Sequence, residues 1–322
     1  MRPIRLLIEA VLQMLGDDLS STQGLHHVTA VAADPQRNLD FYTRVLGLRL
    51  VKKTVNQDDP FTYHLYYGDE LGRPGTAMTF FPFPGVPAGK PGRGQPIETQ
   101  FSVPLNTLVE WEARLQDAGV ELLAGPSSGQ PDRLQFTDPD GLPLGLIAEA
   151  PEPAEPAFAL AIRGFAGLTL ASHRPDSTAR VLTELLGYTP VDSNAGVVGR
   201  FKSQGSARAD HIELIESSAM GQPGYGTVHH IAFRVPNRPA LLEMLEQVQA
   251  ARLPCSGEVD RFYFRSVYFR EPGGMLFEIA TDDPGFTVDE PAESLGQSLK
   301  LTAEHEPMRA RIEAALPVLE AQ

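Results

Sequence analysis

The sequence predicts an α+β fold in which four βαβββ modules form two domains, with curved mixed sheets around a concave cup. Two observations predict this fold. First, residues 24–35 (GLHHVTAVAADP) and 226–236 (GTVHHIAFRVP) share a beginning, and each reads as an alternating strand followed by a helix-like stretch. Second, residues 138–141 (DPDG) and 271–274 (EPGG) are turn sequences, and each leads into an apolar strand.

The strand-then-helix outline occurs four times along the chain. Helices are expected at residues 38–45, 107–118, 177–186 and 238–250. Further strands are expected at residues 97–104, 142–149, 164–172 and 275–281. The modules therefore fall near residues 24–85, 97–150, 163–216 and 226–283.

The modules group into two halves separated by a proline-rich stretch. Residues 24–150 are expected to form an N-terminal domain and residues 163–285 a C-terminal domain, each of two modules, with residues 151–162 as the linker. Residues 1–23 form an extension in which apolar residues recur at helical spacing, which predicts a short amphipathic helix. Residues 286–322 are expected to form a tail on the outside, helical over residues 303–321.

Composition excludes several function classes. The net charge of -14 and the pI near 5.0 repel polyanions, so a nucleic-acid partner is not expected. No apolar run approaches the roughly 20 residues that span a bilayer, so no membrane partner is expected. Cys255 is the single cysteine, which fits a reducing compartment and predicts a cytoplasmic protein. A homo-oligomer stays open.

Strand alternation decides which side chains face the cup. In the first strand, apolar Val28 and Ala30 belong under the helix, so His27 points to the opposite face. The same register in the strand from residue 227 places His230 in the cup, and in the last strand Glu278 is the polar exception between apolar neighbours. An unpaired carboxylate is expensive to bury, so these three residues are expected to form one metal-binding set.

The other modules offer no comparable set. Glu98 and Gly167 stand where the first and fourth modules have histidine, Gly145 stands near the glutamate position, and Glu213 lies on a last strand. The last strand of module one, at Met78 and Thr79, offers no strong ligand, so a cup built from modules one and four has an empty fourth corner. Three ligands with open positions indicate a catalytic metal. Two histidines and a carboxylate are typical of non-haem Fe(II) oxygenases, although manganese or zinc would accept the same ligands.

At these motifs the sequence resembles the vicinal oxygen chelate superfamily, and within it the ring-cleaving dioxygenases of the hydroquinone type. The segments that carry the resemblance are residues 25–29 (LHHVT), 49–54 (RLVKKT), 63–72 (YHLYYGDELG), 74–76 (PGT), 229–230 (HH), 270–274 (REPGG) and 277–278 (FE). The resemblance implies an enzyme that uses Fe(II) and O2 to cleave a small aromatic substrate. It implies His27, His230 and Glu278 as iron ligands.

The resemblance also implies a set of groups around the ligands: His26, Thr29, His229, Arg261 and Tyr268. Of these, His26, His229, Arg261 and Tyr268 are the expected catalytic groups, and Thr29, Arg261 and Tyr268 the expected substrate contacts. A cation such as Arg261 near a bound phenol would lower the pKa of that phenol. By alternation His26 and His229 fall on the helix side, so a β-bulge would be needed to bring them near the metal, and a structural role at the strand edge is as well supported.

Other polar residues are expected to have ordinary roles. His64 lies in an alternating strand and is expected to be structural or to line the pocket, while Lys52, Lys53, Asp69 and Glu70 are expected to be solvated.

Two rival functions stay open on the same scaffold. A glyoxalase-like isomerase or lyase would need a second carboxylate as base at the open corner. A non-catalytic resistance protein that binds a small molecule would need no inward-facing metal set.

Overall fold

The computed structural model describes residues 21–129, 131–150, 160–191, 196–205 and 210–320, and these residues form two eight-stranded mixed sheets. The predicted α+β fold class is confirmed. The predicted helix of the N-terminal extension and residues 151–159 of the predicted linker lie outside the described residues. Within the described part of the chain, no helix is both long enough and apolar enough to cross a bilayer.

The first sheet has the strand order β14-β15-β16-β13-β1-β4-β3-β2. Its strands are β1 (Leu25–Ala32), β2 (Arg49–Asn56), β3 (Asp59–Gly68), β4 (Ala77–Pro82), β13 (Thr227–Val235), β14 (Cys255–Asp260), β15 (Arg265–Arg270) and β16 (Leu276–Thr281).

The second sheet has the order β10-β11-β12-β9-β5-β8-β7-β6. Its strands are β5 (Gln95–Pro104), β6 (Leu122–Ala124), β7 (Arg133–Thr137), β8 (Pro143–Glu149), β9 (Phe165–Ser172), β10 (Thr189–Val191), β11 (Gly199–Lys202) and β12 (His211–Glu216).

The four predicted module helices are present. They are α1 (Pro35–Asp40), α2 (Leu108–Asp117), α3 (Pro175–Arg180) and α4 (Arg238–Ala250). Helices α1 and α3 each continue into a π-helical turn, at Phe41–Val45 and Val181–Leu185. Helices α1, α3 and α4 each begin with a proline near the first helical position. The side chains of Asp34 and Asn237 cap the starts of α1 and α4.

Each sheet combines one module from each half of the sequence. In the first sheet β1 of module one pairs with β13 of module four, with Val28 opposite Ile231. In the second, β5 of module two pairs with β9 of module three. The cup built from modules one and four, which the sequence predicted, is therefore one continuous sheet, and the pairing crosses the boundary at residues 151–162.

The hydrophobic core lies between the sheets and their helices, on the face that alternation predicted. Val28, Ala30, Ile231 and Phe233 are completely buried in it, together with Trp111 of α2. Burying these side chains is the main stabilising contribution, and it fixes the register because a slip of one residue would turn each strand over. The opposite face of the first sheet therefore lines the cup.

The two turn sequences dock each closing strand on the helix of a neighbouring module. Asp138 is buried, accepts hydrogen bonds from the backbone N–H groups of Asp140 and Leu142, and accepts the Tyr42 hydroxyl proton at 3.1 Å. Burial raises the pKa of Asp138 to about 6. In module four, Glu271 is buried in the corresponding turn and accepts the hydroxyl proton of Thr178 in α3.

The raised pKa of Asp138 predicts a pH-dependent contribution to stability. Because the folded-state value of about 6 lies above the ordinary 3.8, the contribution is fully present below about pH 4 and is lost as the pH rises through 6. Relative to Asp138→Asn, the wild type should lose about 3 kcal/mol of unfolding free energy between these limits. Urea unfolding at several pH values measures the difference. The exposed-carboxylate variant Asp176→Asn should show no such trend, and a flat difference for Asp138→Asn would contradict the prediction.

The C-terminal tail packs against the edge of the first sheet. Its helix α5 (Arg309–Ala315) is shorter than the helix predicted for residues 303–321, and its Ile312 is buried. The expectation that Lys52 is solvated was wrong, because the tail covers it completely. The Lys52 ammonium lies 2.6 Å from a carboxylate oxygen of Asp289 and 2.5 Å from one of Glu290, and Glu290 is itself buried. A buried cation on an edge strand thus holds the tail in place.

Candidate metal centre

His27, His230 and Glu278 converge in the cup, as the sequence predicted. The Nε2 atoms of the two histidines are 3.2 Å apart, and the Glu278 Oε2 atom lies 3.2 Å from His27 Nε2 and 3.0 Å from His230 Nε2. All three side chains are buried. One ligand atom from each residue lies within 4.8 Å of the others, which is the spacing expected around a single cation.

Strand pairing places the three residues side by side. His27 lies on β1 and His230 on β13, which are neighbours in the sheet, and Glu278 lies on β16 opposite Ala232 of β13. Ala232 follows His230 by two positions, so both occupy the cup face of β13. The site therefore draws on three adjacent strands from opposite ends of the chain.

The bulges that the sequence left as a condition are present. In the pairing of β1 with β13, His26 of β1 has no partner between the paired residues Leu25 and His27. On β13, His229 has no partner between the paired residues Val228 and His230. Each bulge leaves one extra residue, His26 or His229, next to the ligand histidine that follows it.

His26 fixes the tautomer of His27. The His26 Nε2 atom lies 3.0 Å from the carbonyl oxygen of Thr281, which only accepts, so this nitrogen carries a proton. Burial, helped by the neighbouring His27, lowers the pKa of His26 to about 3, so the ring is neutral and its Nδ1 is an acceptor. The His27 Nδ1–H group donates to that acceptor at 3.0 Å. The lone pair of His27 is thus left on Nε2, which faces the site.

His229 has the same relation to His230, with one difference. Their Nδ1 atoms are 2.8 Å apart, and partial desolvation of the otherwise exposed His229 side chain, together with His230, lowers its pKa to about 4. When His230 Nδ1–H donates across this contact, His230 Nε2 is free to bind a metal and His229 carries its proton on Nε2. His229 lines the cavity of the site, whereas His26 does not. The structure therefore favours a positioning role for His26 and leaves His229 as the one of the two that can reach a substrate.

The electrostatics of the site fit a cation. Glu278 is completely buried, its Oε1 accepts the hydroxyl proton of Ser266, and its Oε2 accepts no hydrogen bond from the described residues. Burial acts to raise the pKa of Glu278, and positive charge at the two neighbouring histidines lowers it well below its ordinary value, so the carboxylate is ionised when a cation lies beside it. A buried carboxylate oxygen and two imidazole lone pairs repel one another unless a positive charge lies between them. The orphaned oxygen is the observation that fits a metal.

The fourth corner of the cup is occupied by Thr79. Thr29 follows His27 by two positions, as Ala232 follows His230, and Thr29 pairs with Thr79 of β4 just as Ala232 pairs with Glu278. Thr79 is thus the counterpart of Glu278, and its hydroxyl lies 2.7 Å from that of Thr29. Met78 points into the core. As the sequence predicted, this corner supplies no carboxylate.

A cavity of about 330 Å³ opens in front of the three ligands. Arg261 and Tyr268 line it, and Arg261 Nε donates to the Tyr268 hydroxyl at 3.1 Å. Asp58, in the turn between β2 and β3, accepts from Arg261 at 3.1 Å across the rim. Neither Thr29 nor Thr79 is among the lining residues, because both are completely buried. The predicted substrate contacts Arg261 and Tyr268 therefore face the cavity, whereas Thr29 does not.

The cavity also contains a pair that sequence reasoning did not assign to the site. His64, expected to be structural or pocket-lining, and Tyr66, which was not singled out, both line the wall formed by β3. They are two positions apart on one face of the strand, so alternation applied to β3 would have placed both in the cup. Burial lowers the pKa of His64 well below its usual value and raises the pKa of Tyr66 well above its usual value, so both are neutral.

The cup of the second sheet holds an ion-pair network. Arg133 pairs with Glu98, and Arg200 pairs with Glu213. A side-chain carbon at Gly145 would lie 2.3 Å from the Glu98 carboxylate, so no ligand fits at that position.

Replacing His26 tests its positioning role. His26→Ala removes the acceptor of the His27 Nδ1–H group and should weaken metal binding about 10- to 100-fold. Titration of the metal against a chromophoric chelator measures the affinity. His305→Ala removes another buried imidazole, on the tail, and serves as the matched control. Equal affinities of the two variants would refute the role.

The chain matches known proteins over nearly its whole length. The family model described as the Glyoxalase/Bleomycin resistance protein/Dioxygenase superfamily matches residues 24–146 and 164–279. The candidate ring-cleaving dioxygenase MhqE of Bacillus subtilis is 46% identical over 304 residues, which cover 92% of this chain and 99% of that protein. The chlorohydroquinone/hydroquinone 1,2-dioxygenase of Sphingobium indicum is 32% identical over 298 residues, covering 88% and 92%.

Among solved structures, a candidate dioxygenase from Bacillus subtilis superimposes with a TM-score of 0.88 at 40% identity. The superposition covers 94% of this chain and 99% of that one. The fold is therefore that of this relative.

Proposed function

The chain belongs to the glyoxalase, bleomycin resistance protein and dioxygenase superfamily, and from that premise we propose that it is an Fe(II)-dependent dioxygenase that cleaves hydroquinone-type aromatic rings with O2. The observation that carries the proposal is the buried convergence of His27, His230 and Glu278 at the floor of an open cavity. The names of the relatives support ring cleavage and, for one of them, hydroquinones as substrates.

Iron is the metal that this ligand set favours in oxygen chemistry. When bound by His27, His230 and Glu278, it would supply a Lewis-acidic centre with open positions at which a phenol oxygen and dioxygen react. Manganese and zinc are accepted by the same ligands, so the metal has to be established by reconstitution. The single cysteine, Cys255, is consistent with the cytoplasmic location that we propose.

Arg261 and Tyr268 are the groups placed to bind the phenol oxygen of the substrate. The Arg261 guanidinium lies 5.1 Å from the centre of the Tyr268 ring and donates to its hydroxyl, so the Tyr268 hydroxyl keeps its own proton to offer to the cavity. Burial raises the pKa of Tyr268, which keeps that proton in place. The positive charge of Arg261 in the cavity wall favours the deprotonated form of a phenol bound beside it.

His229 is the histidine outside the ligand set that faces the substrate. Its ring lies at the cavity, stands edge-on to Phe81 at 5.6 Å, and is neutral at physiological pH. Because its Nδ1 is engaged with His230, only the Nε2–H group is available. His229 can therefore donate a hydrogen bond to a substrate oxygen and stabilise the negative charge that develops there as the ring opens.

The walls of the cavity suit an aromatic ring. Phe81, Tyr263 and Phe264 line it, and Phe264 packs 5.1 Å from the His27 ring. Aromatic side chains bury a flat ring with little conformational cost and exclude water from the reacting atoms.

The rival functions find less support in the site. A glyoxalase-type isomerase needs a base at the fourth corner, where the hydroxyl of Thr79 cannot serve as one. A metal-free binding protein would leave Glu278 Oε2 buried without a partner.

Oxygen uptake tests the proposal. The protein is reconstituted anaerobically with Fe(II), and O2 consumption is followed with methylhydroquinone, chlorohydroquinone and catechol. We expect one O2 to be consumed per hydroquinone and slower uptake with catechol. No uptake with any of the three from iron-loaded protein would refute the dioxygenase proposal.

A further inference from the structure

We propose that Tyr66, held by His64, binds the second hydroxyl of a 1,4-dihydroxybenzene and so selects this class of substrate. The inference rests on the proposed function and deepens it, because it assigns a recognition site for the end of the ring that does not face the metal. Tyr66 acts as a specificity-determining residue and His64 as the residue that positions it.

The internal symmetry of the first sheet identifies Tyr66 as the counterpart of Tyr268. Tyr66 of β3 pairs with Thr79 of β4, and Tyr268 of β15 pairs with Glu278 of β16. Since Thr79 is the counterpart of Glu278, the two tyrosines occupy equivalent positions on opposite walls of the cup. Both line the same cavity.

The two tyrosines differ in what lies behind them. Tyr268 is backed by the Arg261 guanidinium, 3.1 Å from its hydroxyl, so its surroundings favour an anionic oxygen. Tyr66 is backed by neutral His64, whose Nδ1 lies 2.8 Å from the Tyr66 hydroxyl. A 1,4-dihydroxybenzene with one deprotonated and one neutral oxygen at its two ends matches this asymmetry. A 1,2-dihydroxybenzene has both oxygens at one end and does not.

The Tyr66 side of the cup is the side without a third ligand. Glu278 fills the corner that belongs to module four, whereas the corner next to strand β3 holds Thr79. Tyr66 lies on β3 directly opposite Thr79, so its strand is one spacing (about 4.8 Å) beyond that corner. A substrate ring held at the ligand set on the Thr79 side would direct its second hydroxyl toward Tyr66.

A hydrogen-bond chain behind Tyr66 lets it act as donor or acceptor. His64 Nε2 lies 2.9 Å from the Thr79 hydroxyl, which in turn lies 2.7 Å from the Thr29 hydroxyl. Every member of this chain can both donate and accept, so its polarity can reverse without any change of charge. The Tyr66 hydroxyl can therefore accept a hydrogen bond from a neutral substrate hydroxyl, or donate one to a substrate oxygen that has lost its proton. His64 is the link that holds Tyr66 to the floor of the site.

Binding measurements without O2 test the inference separately from turnover. Iron-loaded protein is titrated anaerobically with hydroquinone and with phenol, which lacks the second hydroxyl, by isothermal calorimetry. In the wild type, hydroquinone should bind about tenfold more tightly than phenol, the effect of one or two buried hydrogen bonds. Tyr66→Phe should reduce this ratio to near one while leaving the affinity for phenol unchanged.

Tyr63→Phe is the matched control. Tyr63 lies on the same strand, and its hydroxyl donates at 2.9 Å to the Pro317 carbonyl oxygen in the tail. This variant should keep the wild-type ratio. His64→Ala should lower the ratio severalfold, because Tyr66 is then no longer held.

Two results would overturn the inference: an unchanged ratio in Tyr66→Phe, or equal binding of hydroquinone and phenol by the wild type. The second result needs no variant and so covers the case in which Tyr66→Phe fails to fold. If the ratio changes as expected but no O2 is consumed, the recognition site stands and the proposed dioxygenase activity fails. If O2 is consumed and the ratio is unaffected, the reverse holds.

Discussion

Glu278→Gln is expected to weaken metal binding by more than about a hundredfold and to abolish oxygen uptake. Glutamine is almost isosteric with glutamate but removes the only negative charge among the three ligands, which balances a divalent cation in a buried site. Its amide oxygen can still accept the Ser266 hydroxyl proton, so the side chain should stay in place. Metal content after dialysis and competition with a chelator measure the change.

Glu271→Gln separates the loss of a ligand from the loss of any buried carboxylate. Glu271 is about as buried as Glu278 and lies in the turn just before β16, but its oxygens are engaged with backbone N–H groups and Thr178. This variant should lower the unfolding midpoint and keep the metal affinity. Full metal occupancy in Glu278→Gln would show that the carboxylate is not a ligand.

Lys52→Met is expected to destabilise the fold by about 3–5 kcal/mol, the cost of leaving a buried carboxylate without its partner. Methionine fills nearly the same volume, but it leaves Glu290, which is 4% exposed, without the ammonium group that contacts it. Chemical denaturation followed by tryptophan fluorescence of Trp111 measures the change in unfolding free energy.

Two further variants show whether the effect of Lys52→Met comes from the lost charge or from the lost packing. Lys53→Met changes a half-buried neighbour and should cost less than about 1 kcal/mol. Adding Glu290→Gln to Lys52→Met removes the stranded charge and should restore much of the lost stability. A double variant no more stable than Lys52→Met would mean that the packing of the lysine chain, and not its charge, holds the tail.

Alternation and repetition were sufficient to predict the fold and the convergence of the three candidate ligands. Strands β1 and β13 are amphipathic: the face of each that carries Val28 or Ile231 packs in the core. Once that face is known, His27 and His230 have only one direction in which to point. Glu278 followed from the cost of burying a carboxylate among apolar neighbours.

The features that the sequence left undecided depend on contacts between distant segments. The bulges at His26 and His229 interrupt the two-residue period, so alternation placed both on the helix side and could only name a bulge as a condition. Lys52 was expected to be solvated because nothing local shows that the tail, almost 240 residues later, covers it. His64 and Tyr66 share one face of β3, which alternation could have assigned to the cup, but their contact with Thr79 depends on the pairing of β3 with β4.

The pairing of β1 with β13 has a consequence for how the protein is made. His27 and His230 are 203 positions apart, so a ribosome completes modules one, two and three before the partner of β1 exists. Until then the nascent chain carries only one imidazole of the candidate set, and a single imidazole does not hold a metal firmly. A metal bound by His27, His230 and Glu278 would therefore be taken up only once module four has been made, because that module closes the sheet and completes the candidate coordination set together.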